Sequence, residues 1–182
     1  MESDEQLVVA ATGGSDAAFT ELVRRYQERL LRFLLTRCAN RADAEDALQD
    51  TFINAYRYLD SFNPRWRFST WIYRIGIRNA MRQGSPQTRE ETDSIDPNAD
   101  PLKACIVDSE RENLWLAAKR TLSADAFTAM WLRYVEDMSI KDVAKAVDRS
   151  ASWTKVTLLR ARRKLSDELT TDRTLKKREI YG

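Results

Sequence analysis

The chain has 182 residues, 43% hydrophobic and 32% charged, with a net charge of only +2, which is room for one medium or two small packed domains. It contains no histidine, which excludes Ser–His and Cys–His nucleophiles, zinc fingers and most zinc hydrolases, while a carboxylate-only magnesium site stays open. No apolar run approaches the ~20 residues of a membrane span, and "MESDEQLVVA" has acids where a secretory signal is basic, so a cytoplasmic protein is expected.

Five glycines and four prolines leave little turn chemistry for a strand-rich fold, and the apolar residues recur at helical spacing. The first predicted helix covers residues 17–38, with Phe19, Leu22, Val23, Tyr26, Leu30 and Phe33 at three- and four-residue steps. Cys38 at its end and the distant Cys105 form no CxxC pair and read as two reduced, buried thiols. A second helix is predicted over 43–59, followed by the loop "DSFNPRW" with Pro64 as breaker and a third helix over 69–82. Then the character changes. "QGSPQTREETDSIDPNADP" holds three of the four prolines, five acids and almost no large apolar residue, so residues 83–104 read as a flexible acidic linker.

Beyond the linker a helix is predicted over 108–120, and Ser123 caps another that carries Phe127, Met130, Trp131 and Tyr134. "SIKD" at 139–142 matches a capping box and opens a short helix with Ile140, Val143, Ala144 and Val147 inward. After "VDRS", Ser150 caps a last helix reaching about residue 169. These last two helices make a helix-turn-helix. The expected fold is all-α, with two small helical domains over 1–82 and 105–170, the linker between them, and a tail over 171–182.

Three clusters carry chemistry. In "DAEDALQDTF", Asp43, Glu45, Asp46, Gln49 and Asp50 fall within less than half the helix circumference, with Ala44, Leu48, Thr51 and Ala55 opposite. A metal needs donors converging from several elements, and no neighbouring segment offers them. Two readings remain: a solvated face whose early acids suit the helix dipole, or a docking face for a basic partner. Ile53, an apolar residue on the acidic side, favours docking.

From Pro64 to Arg82 there are five arginines (65, 67, 74, 78 and 82) and no acid. Arg74, Arg78 and Arg82 stack at four-residue steps, Trp71 and Ile75 share their side, and Asn79 lies at its edge. Ile72, Gly76, Ile77, Ala80 and Met81 are expected to point into the core. Arginines for phosphates beside Trp66, Phe68, Trp71 and Tyr73 for bases suit single-stranded nucleic acid. Each stack supplies about 1–3 kcal/mol, comparable with the few kcal/mol that extracting a base from a duplex costs. The bland alternative is a solvated basic helix whose rings belong to the core.

In the last helix, Thr154, Leu158, Ala161 and Leu165 form the expected buried stripe, and Ser152, Lys155, Val156, Leu159, Arg160 and Arg163 the exposed face. The first turns of such a helix reach base edges in the major groove. Lys155 and Arg160 are candidates for guanine and Val156 and Leu159 for thymine methyls, with Arg162 and Lys164 on phosphates.

In order, "AFTELVRRY", "DAEDALQDTFINAYRYLDSF", "FSTWIYRIGIRNA", the linker and "LRYVEDMSIKDVAKAVDRSASWTKVTLLRARRKL" resemble the extracytoplasmic-function (ECF, group IV) sigma factors of bacterial RNA polymerase over nearly the whole chain. The resemblance implies a non-enzymatic promoter-specificity subunit with neither cofactor nor metal. Its partners would be core RNA polymerase and promoter DNA, double-stranded at −35 and single-stranded at −10. Asp43, Glu45, Asp46, Gln49, Asp50 and Ile53 would then meet the clamp helices of polymerase. Phe62, Asn63, Arg65, Trp66, Phe68, Ser69, Trp71, Arg74, Arg78 and Asn79 would recognise and melt the −10 element, with an unpaired base flipped into a pocket. Ser152, Lys155, Val156, Leu159, Arg160, Arg162 and Arg163 would meet the −35 element. The linker would lie near the path of nascent RNA, and an anti-sigma factor is a further implied partner that no residue identifies.

Two features depart from the family pattern. Asp148 stands in the turn where a glycine is common, and aspartate tolerates the left-handed conformation better than most residues. Trp153, Val156 and Thr157 open the recognition helix where small or basic residues are frequent. Two other classes explain part of the sequence. A stand-alone helix-turn-helix regulator leaves the arginine–aromatic helix without a task, and a carboxylate-dependent magnesium enzyme would lose turnover on Asp46→Ala.

Overall fold

A computed structural model describes the backbone of residues 2–83 and 109–181 and the side chains of residues 2–82 and 114–170. The chain divides into two compact units, Met1–Pro101 and Leu102–Gly182. Among the described residues there are eight α-helices, one 3-10 turn and no strand. The stretch read as a linker lies outside the described residues, apart from Gln83, which closes a helix.

The first unit begins with α1, Asp4–Thr12, a helix the sequence reading passes over. A capping box starts it: the Ser3 hydroxyl accepts from the Gln6 N–H at 3.2 Å, and Gln6 Oε1 accepts from the Ser3 N–H at 2.8 Å. Gly14, at φ +95°, turns the chain into α2, Asp16–Leu35. Next comes α3, Arg41–Arg57, which starts two residues earlier than expected because Asn40 caps it, its side chain accepting from the Asp43 N–H at 2.8 Å. A 3-10 turn, Leu59–Ser61, leads to α4, Phe68–Gln83.

Leu22, Leu30, Phe33 and Leu34 of α2 and Phe68, Ile72 and Tyr73 of α4 are fully buried, each contributing about 1.5–3 kcal/mol of apolar burial if an aliphatic or phenyl side chain. From α3 the core receives only Ala44, Ala47, Thr51 and Ala55, so its neighbours approach its backbone closely. Gly76 serves the same close packing, since a Cβ there would stand 3.1 Å from Leu30 Cδ1. Met81 departs from expectation and is exposed. It lies nine residues beyond Ile72, half a turn away at 100° per residue, in the last turn of α4.

The second unit contains α5, Ser109–Thr121, α6, Ala124–Tyr134, α7, Ile140–Ala146, and α8, Ala151–Tyr181. Trp115, Phe127 and Trp131 form its aromatic centre, with ring centroids 5.6 Å apart for the first pair and 5.0 Å for Trp115 and Trp131. Ser123, Ser139 and Ser150 cap as expected, accepting from the N–H of Ala126, Asp142 and Trp153. The box at Ser139 closes differently, however: Asp142 accepts from the Ser139 hydroxyl at 2.6 Å. Asp148 sits at φ +58° in the turn between α7 and α8, the left-handed position expected of it. The backbone of α8 continues past 169 to Tyr181, so residues 171–181, read as a tail, are helical. No glycine or proline interrupts that stretch.

Candidate protein- and nucleic-acid-binding surfaces

The acidic cluster on α3 resolves into two groups. Asp43 is half-buried and serves the helix start, its carboxylate accepting from Asn40 Nδ2 at 3.1 Å, while Glu45 pairs with Arg41 at 2.7 Å. Asp46, Gln49 and Asp50 are exposed, and among the described residues no ion pair engages them. With Ile53, 45% exposed, they occupy positions i, i+3, i+4 and i+7 and so form one stripe. Below the stripe, Ala44, Ala47, Thr51 and Ala55 hold the helix rigidly on the core. Near its far end the Tyr56 hydroxyl donates to Asp16 at 2.9 Å and its ring meets Phe19 edge-on at 5.0 Å, pinning α3 to α2. Cys38, in the loop before α3, is a free, partly buried thiol, and burial pushes its pKa up to about 11. Among the described residues no group of three or more histidines, cysteines or carboxylates could hold a metal ion.

The loop before α4 is shaped by Asn63 and Pro64. The Asn63 side chain accepts from the Arg65 N–H at 3.0 Å and its carbonyl from the Trp66 N–H at 2.9 Å, a four-residue turn with proline at its second position. This turn brings Trp66 beneath Arg74, whose guanidinium lies 5.4 Å from the ring centroid. Phe62 meets Trp71 edge-on at 5.4 Å, and Phe68 touches both, at 6.2 and 5.9 Å. Phe62, Trp66, Ser69, Trp71 and Arg74 are half-buried, so each presents part of its surface, whereas Asn63, Arg65 and Arg78 are exposed.

Two residues assigned to this surface lie elsewhere. Phe68 is fully buried and supports Phe62 and Trp71 from below. Asn79 is also in the core, donating to Thr51 Oγ1 at 3.1 Å and accepting from Asn54 Nδ2 at 3.4 Å, so it ties α4 to α3. Their placement as direct DNA contacts is corrected accordingly. Phe68 is four residues before Ile72 and Asn79 seven after, which places both within about 40° of a fully buried residue. Tyr73, read among the rings available to bases, is fully buried too and packs on Phe33 at 5.4 Å.

On α8, Thr154, Leu158, Ala161 and Leu165 are buried, and Ser152, Lys155, Val156, Leu159, Arg160, Arg162 and Arg163 are all exposed. Arg149 braces the start of the helix, bonding to Asp125 at 3.0 Å and lying 5.5 Å over the Trp153 ring. Two details go beyond the sequence reading. Lys155 borders a hollow of about 450 Å³ with Arg133 and Lys141, placing cations from α6, α7 and α8 around one space. Sequence reasoning missed Arg133 and Lys141 because acids interleave with them in "LRYVEDMSIKD". Leu159 lines an open groove of about 690 Å³ with Leu114, Trp115, Met130 and Tyr134, so its exposure belongs in part to that groove.

An exposed acidic stripe on α3, an arginine–aromatic face on α4 and an exposed basic face on a helix-turn-helix are the features to set beside known proteins. The family model for sigma-70 region 2 matches residues 22–87, and that for sigma-70 region 4 matches residues 113–165. The ECF RNA polymerase sigma-E factor of Haemophilus influenzae is 30% identical over 181 residues, covering 92% of this chain and 95% of that one. That of Escherichia coli is also 30% identical, covering 92% and 94%. Among solved structures, CnrH in complex with the cytosolic domain of CnrY matches with a TM-score of 0.71 and 25% identity over 94% of this chain and 99% of that one. The sigma factor RpoE of Bartonella quintana, solved with the anti-sigma factor NepR, shares the fold at a TM-score of 0.60 and 23% identity, over 85% and 98%. The chain belongs to the extracytoplasmic-function sigma factors. With core RNA polymerase it directs promoter-specific transcription initiation, region 2 acting at the −10 element and region 4 at the −35 element. No helix among the described residues is long and apolar enough to cross a membrane.

Proposed function

We propose that Asp46, Gln49, Asp50 and Ile53 are the side chains that dock this sigma factor on the clamp helices of core polymerase, with Asp43 and Glu45 holding the helix that presents them. The observation that carries this reading is the stripe itself: exposed carboxylates beside an exposed isoleucine on a helix otherwise anchored by small buried residues. A single exposed isoleucine is ordinary by itself; its place in line with exposed carboxylates on one helix face is what suits a partner surface of mixed basic and apolar character.

At −10, the exposed Arg65 and Arg78 would take phosphates, and the half-buried Trp66 and Trp71 would offer ring surface to bases. Arg74 holds the Trp66 ring and Phe62 the Trp71 ring, so these surfaces exist before DNA arrives. Two stacks at about 1–3 kcal/mol each offset the few kcal/mol of unpairing a base, which lets melting proceed without a fuel molecule. At −35, Arg160 and Val156 are best placed for base edges, and Arg162 and Arg163 for phosphates. Lys155, with Arg133 and Lys141, surrounds a space that suits a phosphate better than a guanine edge. The protein acts in the cytoplasm, has no enzymatic activity of its own, and is held in check by an anti-sigma partner, as the CnrY and NepR complexes of its structural neighbours suggest.

The test is run-off transcription with purified core polymerase on a genomic promoter library. Initiation from a promoter set sharing one −35 and one −10 motif is expected. Tight duplex binding without any association with core polymerase would contradict the reading in favour of a stand-alone regulator.

A further inference from the structure

The family match for region 2 begins at residue 22, yet α1, ahead of it, packs into the same unit against α2, the 3-10 turn and α4. These last two elements flank the loop that carries Phe62 and Trp66. One carboxylate fastens α1 in place. Asp4 accepts from Arg25 Nη1 at 2.8 Å and, through its other oxygen, from the hydroxyl of Tyr26. Arg25 also donates to the Glu2 carbonyl at 2.9 Å and to Glu21 at 2.8 Å. Burial, helped by the Asp4 carboxylate, pushes the Tyr26 phenol above its ordinary pKa, so it remains a proton donor throughout the neutral range.

Tyr26 is more than an anchor for α1. Its ring is buried, Arg29 lies 5.6 Å over it, and its edge meets Phe68 at 5.2 Å. Phe68 in turn carries Phe62 and Trp71. A continuous packed path therefore runs from Asp4 through the Tyr26 and Phe68 rings to the half-exposed face of Trp71. Close-packed rings have few alternative arrangements, and this chain of contacts is the physical route that links Asp4 to Trp71.

We propose that Asp4 is a positioning residue for promoter opening: by holding the Tyr26 hydroxyl it fixes Phe68, and through Phe68 the angle at which Trp71 and Phe62 meet an unpaired base. The inference rests on the reading of Trp71 and Phe62 as part of the −10 surface. It assigns α1, outside the family match, a share in melting.

Asp4→Asn and Tyr26→Phe remove the charge and the hydroxyl with little change of volume. Full-length variants, reconstituted with core polymerase, are compared on a fully duplex promoter and on one already unpaired at −10. Opening of the duplex is read by permanganate reactivity of unpaired thymines. Each variant is expected to slow opening by about 3–10-fold, to associate with core polymerase as the parent does, and to regain full activity on the pre-opened template. The double variant should be no slower than the slower single one, because both changes break the same contact. In 5-fluorotryptophan-labelled protein, the Trp71 resonance should shift in both variants while those of Trp115 and Trp131 stay in place. If Asp4→Asn folds poorly, Tyr26→Phe still removes the hydroxyl alone.

Opening at the parent rate, with Trp71→Ala strongly defective, would overturn the role of Asp4 and leave the −10 surface intact. Equal loss of core association and opening, unrelieved by the pre-opened template, would reduce the contact to fold stability and overturn it too. Parent-like opening by Trp71→Ala itself would remove the −10 reading on which the inference stands.

Discussion

The two nucleic-acid surfaces of this protein are built on opposite plans. On α4 and the loop before it, every ring that faces outward leans on another side chain: Trp66 on Arg74, Trp71 on Phe62 and Phe68. On α8 the exposed Val156, Arg160 and Arg163 stand opposite a single buried line of Thr154, Leu158, Ala161 and Leu165, and among the described residues no ring pair like that of Phe62 and Trp71 packs against them. Melting requires surfaces of fixed orientation, because a base must find its stacking partner during the brief time it is unpaired. Reading an intact groove requires reach and adjustable hydrogen bonding, which long side chains on a rigid helix provide. The same distinction separates rigid from adaptable contacts in other interfaces.

The contrast is broken most forcefully at Trp71. Trp71→Ala removes a stacking surface worth about 1–3 kcal/mol and should slow promoter opening by about 10–100-fold, measured by permanganate reactivity, while core association in a gel-shift assay is unchanged. Loss of association by the same factor would show that the two helices do not divide the work. On the reading helix, Arg160→Ala should cost about 1–3 kcal/mol on the preferred −35 sequence and relax selection at one base pair, as read from competition binding across single-base variants. A uniform loss across those variants would make it a phosphate contact. Lys155→Ala sharpens the point: weakening independent of sequence, with the salt slope lower by about one, is the outcome expected of a phosphate partner.

Asn79→Ala probes the framework beneath the surface. Removing the hydrogen bonds to Thr51 and Asn54 should lower unfolding free energy by about 1–2 kcal/mol in a urea titration. Unchanged stability with impaired −10 binding would restore Asn79 to the DNA surface. The smallest effect is expected at Glu21, whose carboxyl the hydrogen bonds from Arg24 and Arg25 hold at about 2 against an ordinary 4.5. A depressed carboxyl pKa stabilises the fold fully above about pH 4.5, and that contribution is lost as pH falls through about 2. Parent and Glu21→Gln should therefore differ slightly at neutral pH and converge between those values, and added salt should shrink the difference because the pairs are solvated.

Much of this organisation is legible in the sequence, and the exceptions have identifiable causes. The helices from α2 onward show apolar residues at helical spacing, and serine caps and the Asp148 turn mark their ends, since local chemistry decides both. The acids at the start of α1 bear on targeting as well as on helix initiation, and "SDEQ" carries the capping box that begins the helix. Residue type alone makes Phe68 a ring for bases and Asn79 a polar edge, while helix arithmetic beside Ile72 puts both inward. Asn79 shows why type misleads: buried polar groups are tolerated where partners such as Thr51 and Asn54 await them. Arg133 and Lys141 join Lys155 only through the packing of three helices, which no linear spacing announces.

The central claim is that adjacent helices of one small unit face different partners, α3 toward polymerase and α4 toward opened DNA. Site-specific photocrosslinking tests it in a single assembly, with a benzophenone side chain placed at position 46 or at position 71 in the holoenzyme bound to an open promoter. Crosslinks from position 46 to the polymerase clamp and from position 71 to the non-template −10 strand are the expected pattern. Position 46 crosslinked only to solvent-quenched products, with position 71 reaching protein instead of DNA, would contradict it.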